Sequence, residues 1–382
     1  MSSDDEPVCI SYNQLTSGNL DDLSPLILRA FSSSPSSLGL LLIKDLPRSF
    51  TQQRQTLLNF ANTFAGLPEH VREQCADEQS GYMFGWSCGK EAMASGKPDT
   101  LKGSYYANPT YDVEHEPTQD GRSTGKNVWP DEIAHPSLRG FRQAFRELCA
   151  FMVDVGKLVA QACEPLVRGQ GQDLANEKTV EALLAQSRVH KARLLHYFNP
   201  PGQVFRVPPS LDRAEEDASD ELIDDSWCGT HIDHSLLTVL CPSMYLFHPE
   251  DDVFEPIVIP SPSESTGLFI KTRAGRTVKA IIPENCLALQ TGETLQLLSD
   301  NTLAATPHFV NAAAKRLGRN AVQAIHAQRD NSEAWRTVER GTVTRETLAV
   351  FLQPNHDEVV SKTGETFGQF SERVHQRHYQ RD

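Results

Sequence analysis

Residues 227–234 read Trp-Cys-Gly-Thr-His-Ile-Asp-His, and this stretch is the sharpest local motif of the chain. Alternate residues of a β-strand point to the same face of its sheet. On a strand, His231 and Asp233 would therefore offer an imidazole and a carboxylate to one metal ion. The pair alone is weak evidence, because roughly one His-x-Asp is expected by chance in a chain of this composition. A strand-edge pair without a metal is the alternative explanation.

A third ligand has to come from a distant strand, and His308 is the best candidate. It lies in the β-prone segment 305–310, which follows turn residues at 299–301. Two histidines and one carboxylate make the facial triad of non-haem Fe(II) sites, which leaves further coordination positions open. Taken alone, His308 is more often explained as a partly buried, hydrogen-bonded histidine. The similar His-Pro-Glu stretch at 248–250 is predicted to be a loop, because it combines a proline with acidic neighbours.

Arg345 and Thr347 form a candidate anion receptor. They lie in the segment 344–351 and would share a face if that segment is a strand. A guanidinium can bind a carboxylate through two parallel hydrogen bonds, and a hydroxyl can donate a third. A surface arginine on an amphipathic strand is the more common explanation when the pair is taken alone.

Apolar periodicity indicates how the rest of the chain is organised. Apolar residues recur at three- and four-residue spacing over 137–166, which predicts one long amphipathic helix between Pro136 and Gly169. After about residue 188, short apolar stretches alternate with turns, which is typical of a β-sandwich or barrel. We therefore divide the chain into an N-terminal α/β region, a helical connector, a β-rich core and a C-terminal tail, at residues 1–115, 116–180, 181–355 and 356–382.

In this order, the four elements resemble the isopenicillin N synthase-like family of Fe(II)/2-oxoglutarate dioxygenases, which carries H-x-D, a distal His and R-x-S. Residues 230–238, 267–275 and 289–296 resemble further segments of that family, and residues 8–90 resemble its N-terminal domain. The resemblance covers most of the chain. It implies an α+β fold with a double-stranded β-helix (jelly-roll) core, an N-terminal α/β region and a long flanking helix. It also implies that His231, Asp233 and His308 are the metal ligands and catalytic residues.

The chain departs from the family pattern at three places. Thr347 stands where the family usually has Ser, which keeps the hydroxyl. The long gap after His308 makes residues 312–343 an insertion, expected to be partly helical and dispensable for folding. Arg319 lies nearer the family's usual spacing, but Ala321 then replaces the hydroxyl, so Arg345 is preferred. At the third place, the alignment with the family pattern is ambiguous by one residue. Tyr197 is the tyrosine that we assign to binding of the co-substrate.

The resemblance implies Fe(II), O2 and 2-oxoglutarate, whose far carboxylate would meet Arg345 and Thr347. The implied reaction oxidises a small molecule, by hydroxylation in the first instance, and releases succinate and CO2. The alternatives are an oxidase that does not use 2-oxoglutarate, a non-catalytic barrel that only binds its ligand, and a zinc or manganese barrel protein. A set of aromatic residues belongs either to the core or to the substrate pocket: Tyr82, Phe84, Trp86, Tyr105, Tyr106 and Phe351.

Composition narrows the class of partner. The formal net charge is −14, which disfavours binding to nucleic acid or to anionic membranes. The chain shows neither a 20-residue apolar run nor a signal-peptide pattern. Its 8 cysteines form no C-x-x-C pair, which is typical of a reducing compartment. We therefore expect a cytoplasmic protein, a monomer with a small-molecule substrate, and a solvated acidic loop at 212–225.

Overall fold

The structure of the protein is a computed structural model. It describes residues 6–91, 96, 98–112, 126–169, 177–211, 227–251, 253–312 and 316–379. The acidic loop expected at 212–225 lies outside these residues. Within them, no helix is both long and apolar enough to cross a membrane.

A large mixed sheet forms the centre of the fold, with the order β1-β2-β13-β8-β15-β5-β4-β3. The short strands β6 and β9 also pair with β15, and β10 pairs with β9. The strands of this sheet are β1 Val8–Ser11, β2 Leu41–Lys44, β3 Gly85–Cys88, β4 Lys102–Ala107, β5 Lys191–Tyr197, β6 Phe205–Arg206, β8 Leu237–Leu240, β9 Met244–Pro249, β10 Ile257–Ile259, β13 Leu287–Thr291 and β15 Arg340–Leu352. Because β1 and β2 extend the sheet from β13, the N-terminal region is continuous with the sheet of the β-rich core.

A second sheet of four strands faces the first, in the order β12-β11-β14-β7. Its strands are β7 Cys228–His231, β11 Gly267–Lys271, β12 Thr277–Lys279 and β14 His308–Asn311. Side chains of both sheets meet in one apolar cluster, where Leu40, Leu42 and Ala288 of the large-sheet side contact Ile270 of the small sheet. The fold is thus a mixed α/β structure with two facing sheets, as the strand pattern predicted.

The long helix predicted over 137–166 is confirmed as Phe141–Arg168, which packs on the outer face of the large sheet. A short 3-10 turn at Pro136–Leu138 precedes it, and the helix begins only after Gly140, whose φ is +93°. Gly156 sits against the sheet, where an added Cβ would collide with Leu352. The missing side chain therefore lets the helix approach β15 closely.

In chain order the helices are α1 Tyr12–Ser17, α2 Ser24–Phe31, α3 Arg48–Ala65, α4 Glu69–Glu73, α5 Phe141–Arg168, α6 Val180–Ala185, α7 Glu293–Leu298, α8 Arg319–Asn331 and α9 Phe367–Tyr379.

The segment expected to be an insertion is helical in part, as predicted, but it is shorter and better packed than expected. It contains α8 and a 3-10 turn at Ala334–Thr337, and β15 already begins at Arg340. Val322, Ile325 and Trp335 are buried in the same apolar cluster as Tyr197 and Val310 of the two sheets. Burial of three large apolar side chains stabilises the core by several kcal/mol (about 2 kcal/mol each). The segment therefore contributes side chains to the apolar core, contrary to the expectation that it is dispensable for folding.

Candidate metal centre

The three ligands proposed from the sequence converge at one end of the small sheet. His308 at the start of β14 pairs directly with His231 at the end of β7, and their ring centroids lie 4.3 Å apart. Asp233 follows two residues beyond the end of β7, in the turn before β8. Its Oδ1 lies 3.8 Å from His231 Nε2, and its Oδ2 lies 3.9 Å from His308 Nε2. The sequence argument placed Asp233 on the strand itself, which is wrong, but the turn brings the carboxylate to the same point.

The polar atoms that face away from this point are held by neighbouring groups. The Nδ1–H groups of His231 and His308 donate to the carbonyls of Gly229 and Thr306, at 2.8 and 2.9 Å. The hydroxyl of Thr238 donates to Asp233 Oδ2 at 2.6 Å. Such bonds fix the tautomer and the orientation of metal-binding side chains. Both Nε2 lone pairs and Asp233 Oδ1 are thereby directed at one place.

This donor set fits a divalent transition metal. The three ligand atoms lie within 4.8 Å of one another, and no second such group occurs in the described part of the chain. Burial lowers the pKa of His308, which favours a neutral imidazole. For His231, burial is outweighed by Cys228 and Asp233, which raise its pKa to about 9, so metal binding would displace a proton from this ring. Two imidazoles and one carboxylate on one side of an otherwise open site suit Fe(II), although zinc and manganese accept the same atoms.

The other His-x-acid stretch is not part of the centre. His248 lies in β9, not in the loop that the sequence predicted, because Pro249 is only the last residue of that strand. The ring of His248 is hydrogen-bonded to the hydroxyl of Thr344 at 3.0 Å. Burial lowers the pKa of His248 to about 4, so the ring is neutral and structural at physiological pH.

A cavity of about 630 Å³ runs from the three ligands between the two sheets. Arg345, Thr347 and Tyr197 all line it. Arg345 stands opposite Tyr197 across β15 and β5, and its guanidinium lies 4.9 Å from the centre of that ring. Tyr197 therefore lies in the cavity beside Arg345, and its contact with a co-substrate stays a prediction.

Arg345 is a buried cation with hydrogen bonds left to make. Its side chain is only 4% exposed, yet Nε and Nη1 have no hydrogen-bond partner. An unpaired buried donor costs about 1–3 kcal/mol, more when it is charged. The Thr347 hydroxyl, two residues along the same face, makes one 3.3 Å bond to the carbonyl of Cys241. Both side chains line the same cavity, so their positions fit the anion receptor that the sequence predicts. Arg319, the alternative, is exposed at the start of α8 and does not line the cavity.

The sequence argument missed a cluster of charges beside the cavity, which we name the paired cluster: Glu91, Asp99, Lys102 and Arg193. Lys102 Nζ lies 2.5 Å from Asp99 and 3.3 Å from Glu91, and Arg193 binds both oxygens of Glu91 at 2.9 and 3.2 Å. Burial disfavours the charged carboxylate, but Arg193 and Lys102 hold the pKa of Glu91 below its usual range. No local sequence pattern predicts this cluster, because Glu91 lies in a bend after β3 and meets Lys102 of β4 and Arg193 of β5 only in the folded protein.

Cys228 was missed as well, although it precedes His231 by only three residues. Its Sγ lies 3.8 Å from Lys102 Nζ and 3.8 Å from His231 Nδ1, and the residue lines the cavity. Burial opposes ionisation, but Lys102 and His231 together lower the pKa of this thiol to about 6.

Of the aromatic residues considered from the sequence, Phe351 lines the cavity, whereas Trp86 and Tyr105 belong to the apolar core.

Comparison with known proteins supports the fold. No protein-family model matches the chain, and no curated protein sequence matches it. Among solved structures, a full-length Neurospora crassa protein in complex with alpha-KG and 5-formyluracil matches with a TM-score of 0.60 and 16% identity, over 98% of this chain and 97% of that chain. A putative 2OG-Fe(II) oxygenase family protein from Caulobacter crescentus matches with a TM-score of 0.58 and 15% identity, over 98% and 99%. The rice dioxygenase for auxin oxidation matches with a TM-score of 0.52 and 15% identity, over 97% and 96%. The chain therefore has the fold of the 2OG-Fe(II) oxygenases.

Proposed function

We propose that this protein is an Fe(II)- and 2-oxoglutarate-dependent dioxygenase that hydroxylates a small-molecule substrate. One observation carries the proposal: a single cavity contains three convergent metal-binding atoms and a buried guanidinium with unmade hydrogen bonds. Related folds support it, because the Neurospora crassa protein has been solved with alpha-KG and a dioxygenase for auxin oxidation from Arabidopsis thaliana with 2-oxoglutarate. In finer terms, we assign the two facing sheets to a double-stranded β-helix.

The side chains at the two ends of the cavity would have different roles, metal binding at one end and carboxylate binding at the other. His231, Asp233 and His308 would hold the iron on one side and leave its other positions free. With O2, iron and 2-oxoglutarate supply the oxidising chemistry, in which one oxygen atom enters the substrate C–H bond and the other enters succinate, with loss of CO2. Arg345 would bind the far carboxylate of 2-oxoglutarate through its free Nε and Nη1 atoms, and Thr347 would add a hydroxyl. The ring of Tyr197 packs against the guanidinium and orients it.

An anaerobic titration of the Fe(II)-loaded protein with 2-oxoglutarate tests the assignment. We expect a new metal-to-ligand charge-transfer band in the visible spectrum, since 2-oxoglutarate would bind the iron directly. His231→Ala should abolish both iron binding and the band while the protein stays folded. His70→Ala is the matched control, because His70 is exposed on α4 and does not line the cavity. A His231→Ala protein with wild-type iron binding would contradict the assignment of the ligands.

Arg345→Gln separates this function from its alternatives. We expect the band to require roughly 30-fold more 2-oxoglutarate, since a charge-assisted pair of hydrogen bonds is lost (about 2 kcal/mol). Arg340→Gln on the same strand is the control, because Arg340 is exposed and pairs with Glu250. One bound iron per chain with no band at saturating 2-oxoglutarate would instead favour the oxidase. Binding of iron and 2-oxoglutarate with no succinate formed with any substrate would favour the non-catalytic barrel.

A further inference from the structure

Tyr245 lies beside Arg345 in the cavity, on the side away from Tyr197. On β9 it stands directly opposite Arg345 of β15, while Tyr197 stands opposite the same arginine on β5. Residues directly opposite each other on neighbouring strands point to one face of the sheet, with their Cβ atoms about 5 Å apart. All three side chains line the cavity. The guanidinium that we assign to the co-substrate therefore has a tyrosine on each side.

The phenol of Tyr245 extends from the large sheet toward the small sheet. A Cβ added at Gly267 of β11 would lie 3.0 Å from the Tyr245 hydroxyl oxygen, so this glycine leaves room for the phenol, and it also lines the cavity. Tyr245 is only 8% exposed, and no hydrogen bond joins its hydroxyl to another described residue. Buried tyrosine hydroxyls usually have a hydrogen-bond partner. The hydrogen of this one is available to a ligand in the cavity.

The hydroxyl of Thr347, by contrast, is already engaged in the ligand-free protein. It donates its one hydrogen to the carbonyl of Cys241 at 3.3 Å, so it has to rotate before it can donate to a ligand. A carboxylate withdrawn from water needs several donors, because its two oxygens offer about four acceptor sites. Arg345 supplies the charge and part of these donors. The O–H group of Tyr245 is a further donor beside Arg345 that the fold itself leaves unused.

We propose that Tyr245 donates a hydrogen bond to the far carboxylate of 2-oxoglutarate and thereby selects this co-substrate against 2-oxo acids that lack a second carboxylate. An acid that ends in a methyl group would leave the hydroxyl of Tyr245 and the guanidinium of Arg345 buried without a partner, which disfavours its binding. This proposal rests on the proposed function, because the carboxylate belongs to the co-substrate that we assign to Arg345.

Anaerobic calorimetric titrations of the Fe(II)-loaded, full-length protein with 2-oxoglutarate and with 2-oxopentanoate test this role. The two acids have the same chain length, but 2-oxopentanoate carries a methyl group in place of the far carboxylate. Tyr245→Phe should bind 2-oxoglutarate about ten-fold more weakly, as expected when one hydrogen bond to a charged group is lost. It should bind 2-oxopentanoate as the wild type does. Tyr12→Phe is the control and should change neither affinity, because Tyr12 lies on α1 and does not line the cavity.

A purely structural role of Tyr245 gives different results. Phenylalanine keeps the ring, so a side chain that only packs between the sheets predicts an unchanged affinity of Tyr245→Phe for 2-oxoglutarate. We also expect Tyr245→Phe to have the Tm of the wild type without ligand, because the hydroxyl has no partner in the fold. Unchanged 2-oxoglutarate affinity, an equal loss of affinity for both acids, or a clearly lower Tm of the ligand-free variant would each overturn the proposal.

Failure of this proposal can be distinguished from failure of the proposed function. A wild-type protein that binds 2-oxoglutarate no more tightly than 2-oxopentanoate would contradict the assignment of Arg345, and with it the proposed function. A wild type that prefers 2-oxoglutarate, with the preference lost in Arg345→Gln but kept in Tyr245→Phe, would contradict only the role of Tyr245.

Discussion

Two sets of inward-facing cations lie on the large sheet, and they differ in their partners. In the paired cluster, Lys102 and Arg193 are neutralised by Asp99 and Glu91. Elsewhere on the sheet, Lys191 has aromatic neighbours, and in the cavity Arg345 keeps two unbonded nitrogens. Removing one partner of a satisfied buried pair leaves the other charge uncompensated, whereas a charge left unsatisfied by the fold is available to a ligand. The difference leaves Arg345 as the cavity cation whose donors are available to an anion.

The largest effect is expected where a satisfied charge is removed. Lys102→Met leaves Asp99, which is almost fully buried, without its cation, and leaves Glu91 with only Arg193. We expect the free energy of unfolding to fall by about 3 kcal/mol, measured by urea denaturation. Lys157→Met is the control, because Lys157 forms only a surface pair with Asp154, worth under about 1 kcal/mol. Equal effects of the two substitutions would show that the paired cluster does not stabilise the fold.

A smaller effect, dependent on pH, is expected at Lys191. Its pKa is about 8 in the folded protein and about 10.4 in an unfolded chain, so between these values the unfolded state binds the extra proton. The stability of the wild type should therefore rise with pH through this window. At pH 7 the wild type should be less stable than Lys191→Met by roughly 2 kcal/mol, after allowance for partial exposure, and the gap should narrow by pH 10. Denaturation curves of both proteins at the two pH values measure it, and a gap that does not vary with pH contradicts an unpaired ammonium.

The smallest effect on stability is expected at Arg345. Arg345→Met removes a guanidinium whose Nε and Nη1 bind nothing in the ligand-free protein. We expect the free energy of unfolding to rise by only about 1 kcal/mol, because the cost of the two unpaired donors is removed but the cation–π contact with Tyr197 is lost. With Fe(II) bound to both proteins, adding 2-oxoglutarate should raise the Tm of the wild type by more than that of Arg345→Met. A loss of stability as large as that of Lys102→Met would place Arg345 among the structural charges.

Local patterns in the sequence were sufficient for several features. Apolar spacing predicted the long helix α5, and the strand-like segments around His308 and Arg345 are strands. The prediction of a loop at His248 failed because a single proline can end a strand without interrupting it. The role of the insertion was also misjudged, since its composition gave no sign that Val322, Ile325 and Trp335 reach the core.

The sequence by itself determined which residue types are present at chemically useful spacing: the two histidines and the aspartate, the Arg-x-Thr pair, and the helical and strand periods. These are properties of neighbours along the chain, and backbone geometry converts them directly into a face of a strand or helix. Only the tertiary structure decided which cations find acidic partners. Arg193 reaches Glu91, while Lys191, two residues earlier on the same strand, reaches aromatic rings instead, because strand register sets the contacts between residues that are distant in sequence.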